Sequence, residues 1–157
     1  MIVATTVNIA PGVKLKLDRA AEATGMSRSE IVVMVMRKTL KDFRKFAPNE
    51  RAVRYQEKNP QVKRKKFHLA LPRRDYEYFM DMRKFFKRSV SLLVVFSVNE
   101  YLDSVVEMVT DDNFNSDADN YPYLNYFIVP EMVDDVICWK IYWGKPENNR
   151  KLFNPRE

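Results

Sequence analysis

The sequence predicts a mainly α-helical protein with short β-strands, in which one strand-helix-helix (β-α-α) unit occurs twice and a β-rich extension follows. Three observations lead to this fold class. Residues 5–46 align with residues 67–108 without a gap, at a constant offset of 62. Each copy has a short alternation of apolar and polar residues followed by two helical patterns. Aromatic and β-branched stretches lie after an acidic loop near the C-terminal end.

Each copy begins with a predicted half-buried strand, over residues 5–9 in the first copy and 67–71 in the second. Because side chains alternate along a strand, one set is expected to face a core and the other set to face outwards. The outward positions are Thr6 and Asn8 in the first strand and Lys66, His68 and Ala70 in the second.

Two helices are expected after each strand. Apolar spacing predicts helix A over 12–23 and 73–86, and strongly apolar segments predict helix B over 31–46 and 92–109. The segment Ser27-Arg28-Ser29-Glu30 is a capping box, which starts the first helix B. Gly25 in the preceding turn suits a left-handed backbone, whereas the second copy has Lys87 there, at a cost of about 1 kcal/mol if left-handed. Helix B is expected to be the buried centre.

Four segments follow from these patterns. Residues 1–46 and 66–110 are the two units, 47–65 form a basic linker, and 111–157 combine an acidic loop with an aromatic C-terminal extension. Within the extension we expect two strands or one hairpin, Tyr123–Val129 and Val136–Trp143, separated by Pro130–Asp135.

The two units resemble the ribbon-helix-helix family of DNA-binding proteins, which includes MetJ, Arc and CopG. The resemblance covers residues 4–46 and 66–108. It depends on the helix-B start Gly25-Met26-Ser27-Arg28-Ser29-Glu30-Ile31 in the first copy. In the second copy it depends on Phe67-His68-Leu69-Ala70-Leu71-Pro72 and Ser89-Val90-Ser91-Leu92-Leu93, with a departure at Lys87.

This resemblance implies that the two strands pair into an antiparallel β-ribbon whose outward side chains contact base edges in the major groove. The base-facing residues would be Thr6, Asn8, Lys66, His68 and Ala70. Asn8 is suited to adenine, Lys66 to guanine and the Thr6 methyl group to thymine. The starts of helix B would hold phosphates through backbone N–H groups, at Ser27, Arg28 and Ser29 and at Ser89, Val90 and Ser91.

The distribution of charge points to the same class of partner. Residues 1–106 contain 22 Lys and Arg against 11 Asp and Glu, a net charge of +11, whereas residues 107–157 contain 5 against 10, a net charge of −5. A basic body of this kind favours a polyanion, most simply nucleic acid. The run Lys63, Arg64 and Lys65, just before the second strand, is expected to contact phosphates.

The chain offers little for catalysis or metal binding. His68 is the only histidine and Cys138 the only cysteine, so clusters built on several such residues are not available. His68 is either a DNA contact or a solvated strand residue, and Cys138 is expected to be a small buried hydrophobe. The acidic loop lacks the ordered spacing of a calcium site. We therefore expect no catalytic residues, no metal and no cofactor.

The same composition predicts a cytoplasmic protein. The first residues lack the basic and apolar regions of a secretory signal, and no intrachain disulfide can form. The longest apolar runs, 31–36 and 92–96, are much shorter than the roughly 20 residues that cross a bilayer, so no membrane partner is expected.

Taken together, these patterns predict a sequence-specific DNA-binding transcriptional regulator, a repressor that occupies an operator. We favour a ribbon formed within one chain, which would recognise two different half-sites, over pairing between chains in a homo-oligomer. The alternative function is an antitoxin-like or scaffold protein that binds a protein partner through residues 111–157. In a third interpretation, this segment covers the helical core or builds a homo-oligomer.

Overall fold

The computed structural model describes residues 1–39, 52–111 and 126–143. In these ranges, four helices and two short antiparallel sheets make a small mixed α/β fold, which confirms the predicted combination of helices with a short antiparallel ribbon. The chain divides into two compact units, Met1–Phe114 and Asn115–Glu157. None of the helices in these ranges has both the length and the apolar character that a membrane span requires.

The first compact unit contains two strands and four helices. In chain order they are β1 (Ile2–Ile9), α1 (Pro11–Thr24), α2 (Arg28–Thr39), β2 (Lys65–Pro72), α3 (Arg73–Phe86) and α4 (Val90–Thr110). Both strands are longer than predicted, since backbone pairing continues beyond the residues with clear alternation. Lys65, predicted as the last linker residue, is therefore the first residue of β2. The predicted end of the first helix B and the start of the linker, residues 40–51, lie outside the described residues.

Strands β1 and β2 pair with each other in antiparallel orientation, so the ribbon forms within one chain, as favoured above. Ile2 lies opposite Pro72, and Ile9 lies opposite Lys65. One face of the ribbon packs on the helices and is buried through Val7, Ile9, Phe67, Leu69 and Leu71. Because an isolated two-stranded ribbon is marginally stable in water, this buried face is what holds it in place.

Helices α2 and α4 form the centre of the core, as the two strongly apolar segments predicted. Every residue from 31 to 36 is buried in α2. The facing helix α4 buries Leu93, Val94, Val98, Leu102 and Val105. Two hydrogen bonds of buried hydroxyl groups lie in this core: Thr39 of α2 and Ser97 of α4 share a hydroxyl pair, and the Tyr78 hydroxyl of α3 donates to the Met36 carbonyl of α2 at 3.3 Å.

The turns between the paired helices both contain a left-handed residue. Gly25 has φ 70° and Lys87 has φ 53°, so the strained conformation considered for Lys87 is present. A segment of the linker crosses this turn: the Arg54 amide donates to the Lys87 carbonyl at 2.9 Å, and the Ser89 amide donates to the Arg54 carbonyl at 2.7 Å. Hydrogen bonds of about 1 kcal/mol each offset the strain at Lys87.

The second compact unit contains a hairpin of β3 (Tyr126–Val133) and β4 (Val136–Trp143). The predicted β4 is confirmed, but the predicted gap at Pro130–Asp135 is wrong, because Pro130 lies inside β3 opposite Trp139. Only Asp134 and Asp135 form the turn, with φ 49° and 59°. Positive φ at both central residues is the geometry that a tight two-residue hairpin turn requires, and Asp tolerates it better than most residues. The predicted start at Tyr123 and the acidic loop over 112–120 lie outside the described residues.

A partly buried ion pair joins α2 to α3. The Arg37 guanidinium lies 2.8 Å from the Asp75 carboxylate, whose side chain is only 8% exposed. An exposed pair of the same length, Arg73 with Glu77 at 2.8 Å, lies on the surface of α3, where the two side chains are 64% and 59% exposed. The two pairs differ mainly in burial, so they form a natural comparison.

We expect Asp75→Ala to lower the free energy of unfolding by about 3 kcal/mol, because it leaves the Arg37 charge without its partner. Glu77→Ala should cost less than about 1 kcal/mol, since solvent screens the exposed pair. Urea denaturation followed by far-ultraviolet circular dichroism measures both losses. Equal losses of unfolding free energy for the two variants would show that burial does not increase the contribution of the Arg37–Asp75 pair to stability.

Candidate nucleic-acid interface

The second face of the β1–β2 ribbon is exposed and carries every base-facing residue predicted from the sequence. Its members are Ile2, Ala4, Thr6, Asn8, Lys66, His68, Ala70 and Pro72, all of them exposed. We call this set the outer ribbon face. Sequence reasoning missed Ala4 because the predicted strand began at Thr5. The offset of 62 could have found it, since Ala4 is equivalent to Lys66, which was already predicted to face outwards.

Three cross-strand pairs lie at the middle of the outer ribbon face. They are Ala4 with Ala70, Thr6 with His68, and Asn8 with Lys66. In the central pair, Thr6 Oγ1 and His68 Nδ1 are hydrogen-bonded at 3.0 Å. This bond fixes the orientation of the imidazole and uses Nδ1, so Nε2 is the ring nitrogen that does not take part in it. The pair therefore presents a hydroxyl group and an aromatic nitrogen side by side.

The starts of α2 and α4 are attached directly to the ribbon. Ser29 Oγ of α2 accepts a hydrogen bond from the Ala70 amide in β2, and Ser91 Oγ of α4 accepts one from the Asn8 amide in β1, both at 3.1 Å. Helix α2 of the first copy therefore binds β2 of the second copy, and helix α4 of the second copy binds β1 of the first. The two bonds hold both helix N-termini beside the ribbon, with Asn8 and Ala70 at the attachment points.

The backbone amides at these helix starts are not all available to a ligand. In the capping box, the Ser27 amide donates to Glu30 Oε2 at 2.8 Å, and the Glu30 amide donates to Ser27 Oγ at 3.2 Å. At α4, the Ser89 amide is already used by the Arg54 carbonyl. The phosphate-binding prediction therefore narrows to the amides of Arg28, Ser29, Val90 and Ser91, which lie in first helical turns without intrahelical acceptors.

The predicted basic contacts fall into two groups. The Arg28 guanidinium forms an ion pair with Asp18 at 2.9 Å and lies 5.5 Å from the centre of the Phe67 ring, so it packs against the protein. The Arg64 guanidinium donates to the Glu57 carbonyl within the linker. Lys63 and Lys65, by contrast, are exposed at the ribbon end that carries Asn8 and Lys66.

A linker side chain that the sequence did not single out also contacts the ribbon. Gln56 Nε2 donates to the Asn8 carbonyl at 2.7 Å, which holds the linker against the end of β1. No sequence signal marks Gln56, because its partner lies 48 residues away. This bond and the Ser91 bond together leave the Asn8 backbone engaged on both sides while its side chain remains exposed.

Comparisons of the chain with protein-family models, with curated proteins and with solved structures give no match.

The dimensions of the ribbon suit a nucleic-acid groove. Each strand has 8 residues, and neighbouring strands in a sheet lie about 4.8 Å apart. The major groove of B-DNA is about 12 Å wide and admits a two-stranded ribbon. The outer ribbon face presents amide, ammonium, imidazole and hydroxyl groups, and none of its eight residues is acidic. These groups can donate to and accept from base edges, and they can approach a polyanion without carboxylate repulsion.

The capping box at the start of α2 should make the stability of the protein depend on pH through Glu30. Hydrogen bonds from the side chain and amide of Ser27 hold the pKa of Glu30 below its ordinary value. A carboxyl group whose folded pKa is lowered contributes stability above its unfolded pKa, and this contribution is lost as the pH falls through the folded value. Glutamine can also close a capping box but does not titrate. The wild type should therefore have a higher free energy of unfolding than Glu30→Gln at pH 6, and this advantage should be smaller at pH 3.

Urea denaturation at the two pH values measures this difference. Glu22→Gln, at an exposed position of α1, controls for the loss of a surface carboxylate. A Glu30→Gln difference that does not change with pH would contradict the lowered pKa of Glu30.

Proposed function

We propose that this protein is a sequence-specific DNA-binding regulator that inserts the β1–β2 ribbon into the major groove and acts by occupying an operator. In this proposal, residues 1–46 and 66–110 are tandem ribbon-helix-helix units within one chain, and no catalytic step is involved. The observation that carries the proposal is the outer ribbon face, an uncovered two-stranded surface that displays base-contacting side chains between two attached helix starts.

Each exposed side chain of the ribbon has a role in this proposal. The Asn8 amide pairs with the N6 and N7 edge of adenine, and the Lys66 ammonium donates to O6 or N7 of guanine. The Thr6 methyl group contacts a thymine methyl group, and His68 lies beside it at the centre of the site. Ala70 contributes an apolar contact only.

Phosphate contacts would fix the position of the ribbon on the duplex. The amides at the starts of α2 and α4 supply donors at the positive ends of two helix dipoles. Because Ser29 and Ser91 bind the ribbon backbone, these donors have a fixed spacing from the base-contacting side chains. Exposed Lys63 and Lys65 add positive charge at one ribbon end. A rigid arrangement of this kind favours recognition of B-form geometry together with sequence.

The first experiment is selection of bound duplexes from a random library at near-physiological salt, followed by sequencing. On an enriched duplex, Asn8→Ala should weaken binding by about 1–3 kcal/mol and relax the preference at one base position, because it removes a base contact. Lys65→Ala should weaken binding to every sequence alike and reduce the salt slope by about 1, because it removes a phosphate contact. Fluorescence anisotropy at several salt concentrations measures both effects.

Lys84→Ala is the matched control for the loss of one positive charge, since Lys84 is exposed in the last turn of α3. Its affinity should stay close to that of the wild type. If Asn8→Ala lost equal affinity for the enriched duplex and for random DNA, the base-contacting role of the ribbon would be ruled out.

A second candidate function follows from the hairpin. Residues that lie directly opposite each other share a face of a sheet, so Pro130, Met132, Ile137 and Trp139 lie on one face of the β3–β4 hairpin. Met132 is 65% exposed, Ile137 61% and Trp139 64%. The other face carries the Glu131–Lys140 ion pair. An exposed apolar face of this kind favours the antitoxin-like or scaffold role, in which residues 111–157 bind a protein partner.

Deletion of residues 111–157 tests the role of the extension. Unchanged stability and unchanged DNA binding would support a partner-binding segment. Unfolding of the shortened chain would instead support the interpretation that the extension covers the helical core or builds a homo-oligomer.

A further inference from the structure

The outer ribbon face has a centre defined by both the sequence and the structure. Thr6 and His68 are hydrogen-bonded partners, and they are 62 residues apart, which is also the offset between the two aligned segments. Residues on either side of this centre are therefore equivalent in pairs. Asn8 occupies the place in β1 that Ala70 occupies in β2, and Lys66 occupies the place in β2 that Ala4 occupies in β1.

The helix attachments obey the same relation. The bond from the Asn8 amide to Ser91 Oγ and the bond from the Ala70 amide to Ser29 Oγ have the same length, 3.1 Å. The donors, Asn8 and Ala70, differ by 62, and so do the acceptors. The backbone around the two ends of the ribbon is therefore arranged alike, and the two ends differ through their side chains.

These side chains differ sharply in chemistry. On one side of the centre, Asn8 and Lys66 lie opposite each other and carry an amide and an ammonium group. On the other side, Ala4 and Ala70 lie opposite each other and carry only methyl groups. The next outward pair beyond the alanines, Ile2 with Pro72, also lacks any side-chain hydrogen-bonding group. Among the side chains of the outer ribbon face, hydrogen bonds to base edges can thus come from the centre and one end only.

Positive charge, by contrast, is present at both ends. Exposed Lys63 and Lys65 lie at the end that carries Asn8 and Lys66. Exposed Arg73 and Arg74 begin α3, directly after the ribbon end that carries Ile2 and Pro72, and Arg73 shares its charge with Glu77 in the solvent-exposed pair described above. Contacts with the phosphate backbone are therefore available on both sides, while the outer ribbon face itself offers side-chain hydrogen bonds to base edges on only one side of the Thr6–His68 centre.

We infer that one chain binds a non-palindromic DNA site in a single orientation, with the site centre under Thr6 and His68. The half under Asn8 and Lys66 is specified by hydrogen bonds and prefers adenine and guanine at the contacted positions. The half under Ala4 and Ala70 is specified only by apolar contact, which favours thymine methyl groups. This inference rests on the proposed function and adds to it the orientation of the site and the residues that set it.

A pair of substitutions tests the inference by giving the two cross-strand pairs that flank the centre the same side chains. Ala4→Lys with Ala70→Asn places at the apolar end the same two side chains that occupy the equivalent places at the polar end. Both positions are exposed on the strands, so the fold should be kept, which circular dichroism and thermal unfolding verify. Wild type and variant are each used to select bound duplexes from the same random library at near-physiological salt.

The wild type should enrich a motif with one well-defined half and one weak half. The double variant should enrich a palindrome in which the well-defined half is repeated on the other side of the centre. On a synthetic duplex that carries this palindrome, the variant should bind about tenfold more tightly than it binds the wild-type site, whereas the wild type should bind the two duplexes with similar affinity.

The crossed variant, Ala4→Asn with Ala70→Lys, is the matched control. It has the same composition and charge as the test variant, but its new side chains stand in exchanged places. The crossed variant should not enrich a motif in which the well-defined half occurs twice. If both variants enriched such a palindrome, the added charge would be the cause of the repeated half, and the inference would be overturned.

Two further outcomes separate this inference from the function on which it rests. A palindromic motif from the wild type, or an unchanged motif from Ala4→Lys/Ala70→Asn, would overturn the inference and leave sequence-specific binding intact. The absence of any enriched motif for wild type and variants would overturn the proposed function and the inference together.

Discussion

The pairing of β1 with β2 at one register is the constraint on which the rest of the structure depends. Because side chains alternate along a strand, this register places Val7, Ile9, Phe67, Leu69 and Leu71 on the helices and leaves the other face uncovered. A slip of one residue would exchange the two faces, expose the large apolar side chains and bury Lys66 and His68. The same pairing therefore sets the core and selects the residues that can meet a ligand.

The ribbon and the helices support each other energetically. A two-stranded ribbon has too little buried surface to be stable alone, whereas each large apolar side chain buried on the helices contributes roughly 1.5–3 kcal/mol. Hydrogen bonds from Ser29 and Ser91 then fix the helix starts against the strands. The outer ribbon face is consequently held in place by the core, so in the proposed binding to DNA little conformational entropy would be lost on association.

Local patterns in the sequence predicted much of this arrangement. Alternation located both strands and all the predicted outward residues, and the capping motif located the start of α2. What remained hidden depends on partners distant in sequence: the Arg54 carbonyl that occupies the Ser89 amide, and the Asp18 carboxylate that holds Arg28. The end of the first hairpin strand was predicted too early because proline and acidic residues usually mark a loop, yet in a two-stranded hairpin Pro130 can lie within an edge strand without removing a needed hydrogen bond.

The central claim is that the ribbon lies in the major groove, and methylation interference tests it most directly. Dimethyl sulfate methylates guanine at N7, in the major groove, and adenine at N3, in the minor groove, so one reagent probes both grooves of the same duplex. Partly methylated duplexes are mixed with the protein, and the bound and free fractions are compared base by base. We expect N7-methylated guanines to be depleted from the bound fraction and N3-methylated adenines to be retained. Depletion of N3-methylated adenines with retention of N7-methylated guanines would place the protein in the minor groove and contradict this account.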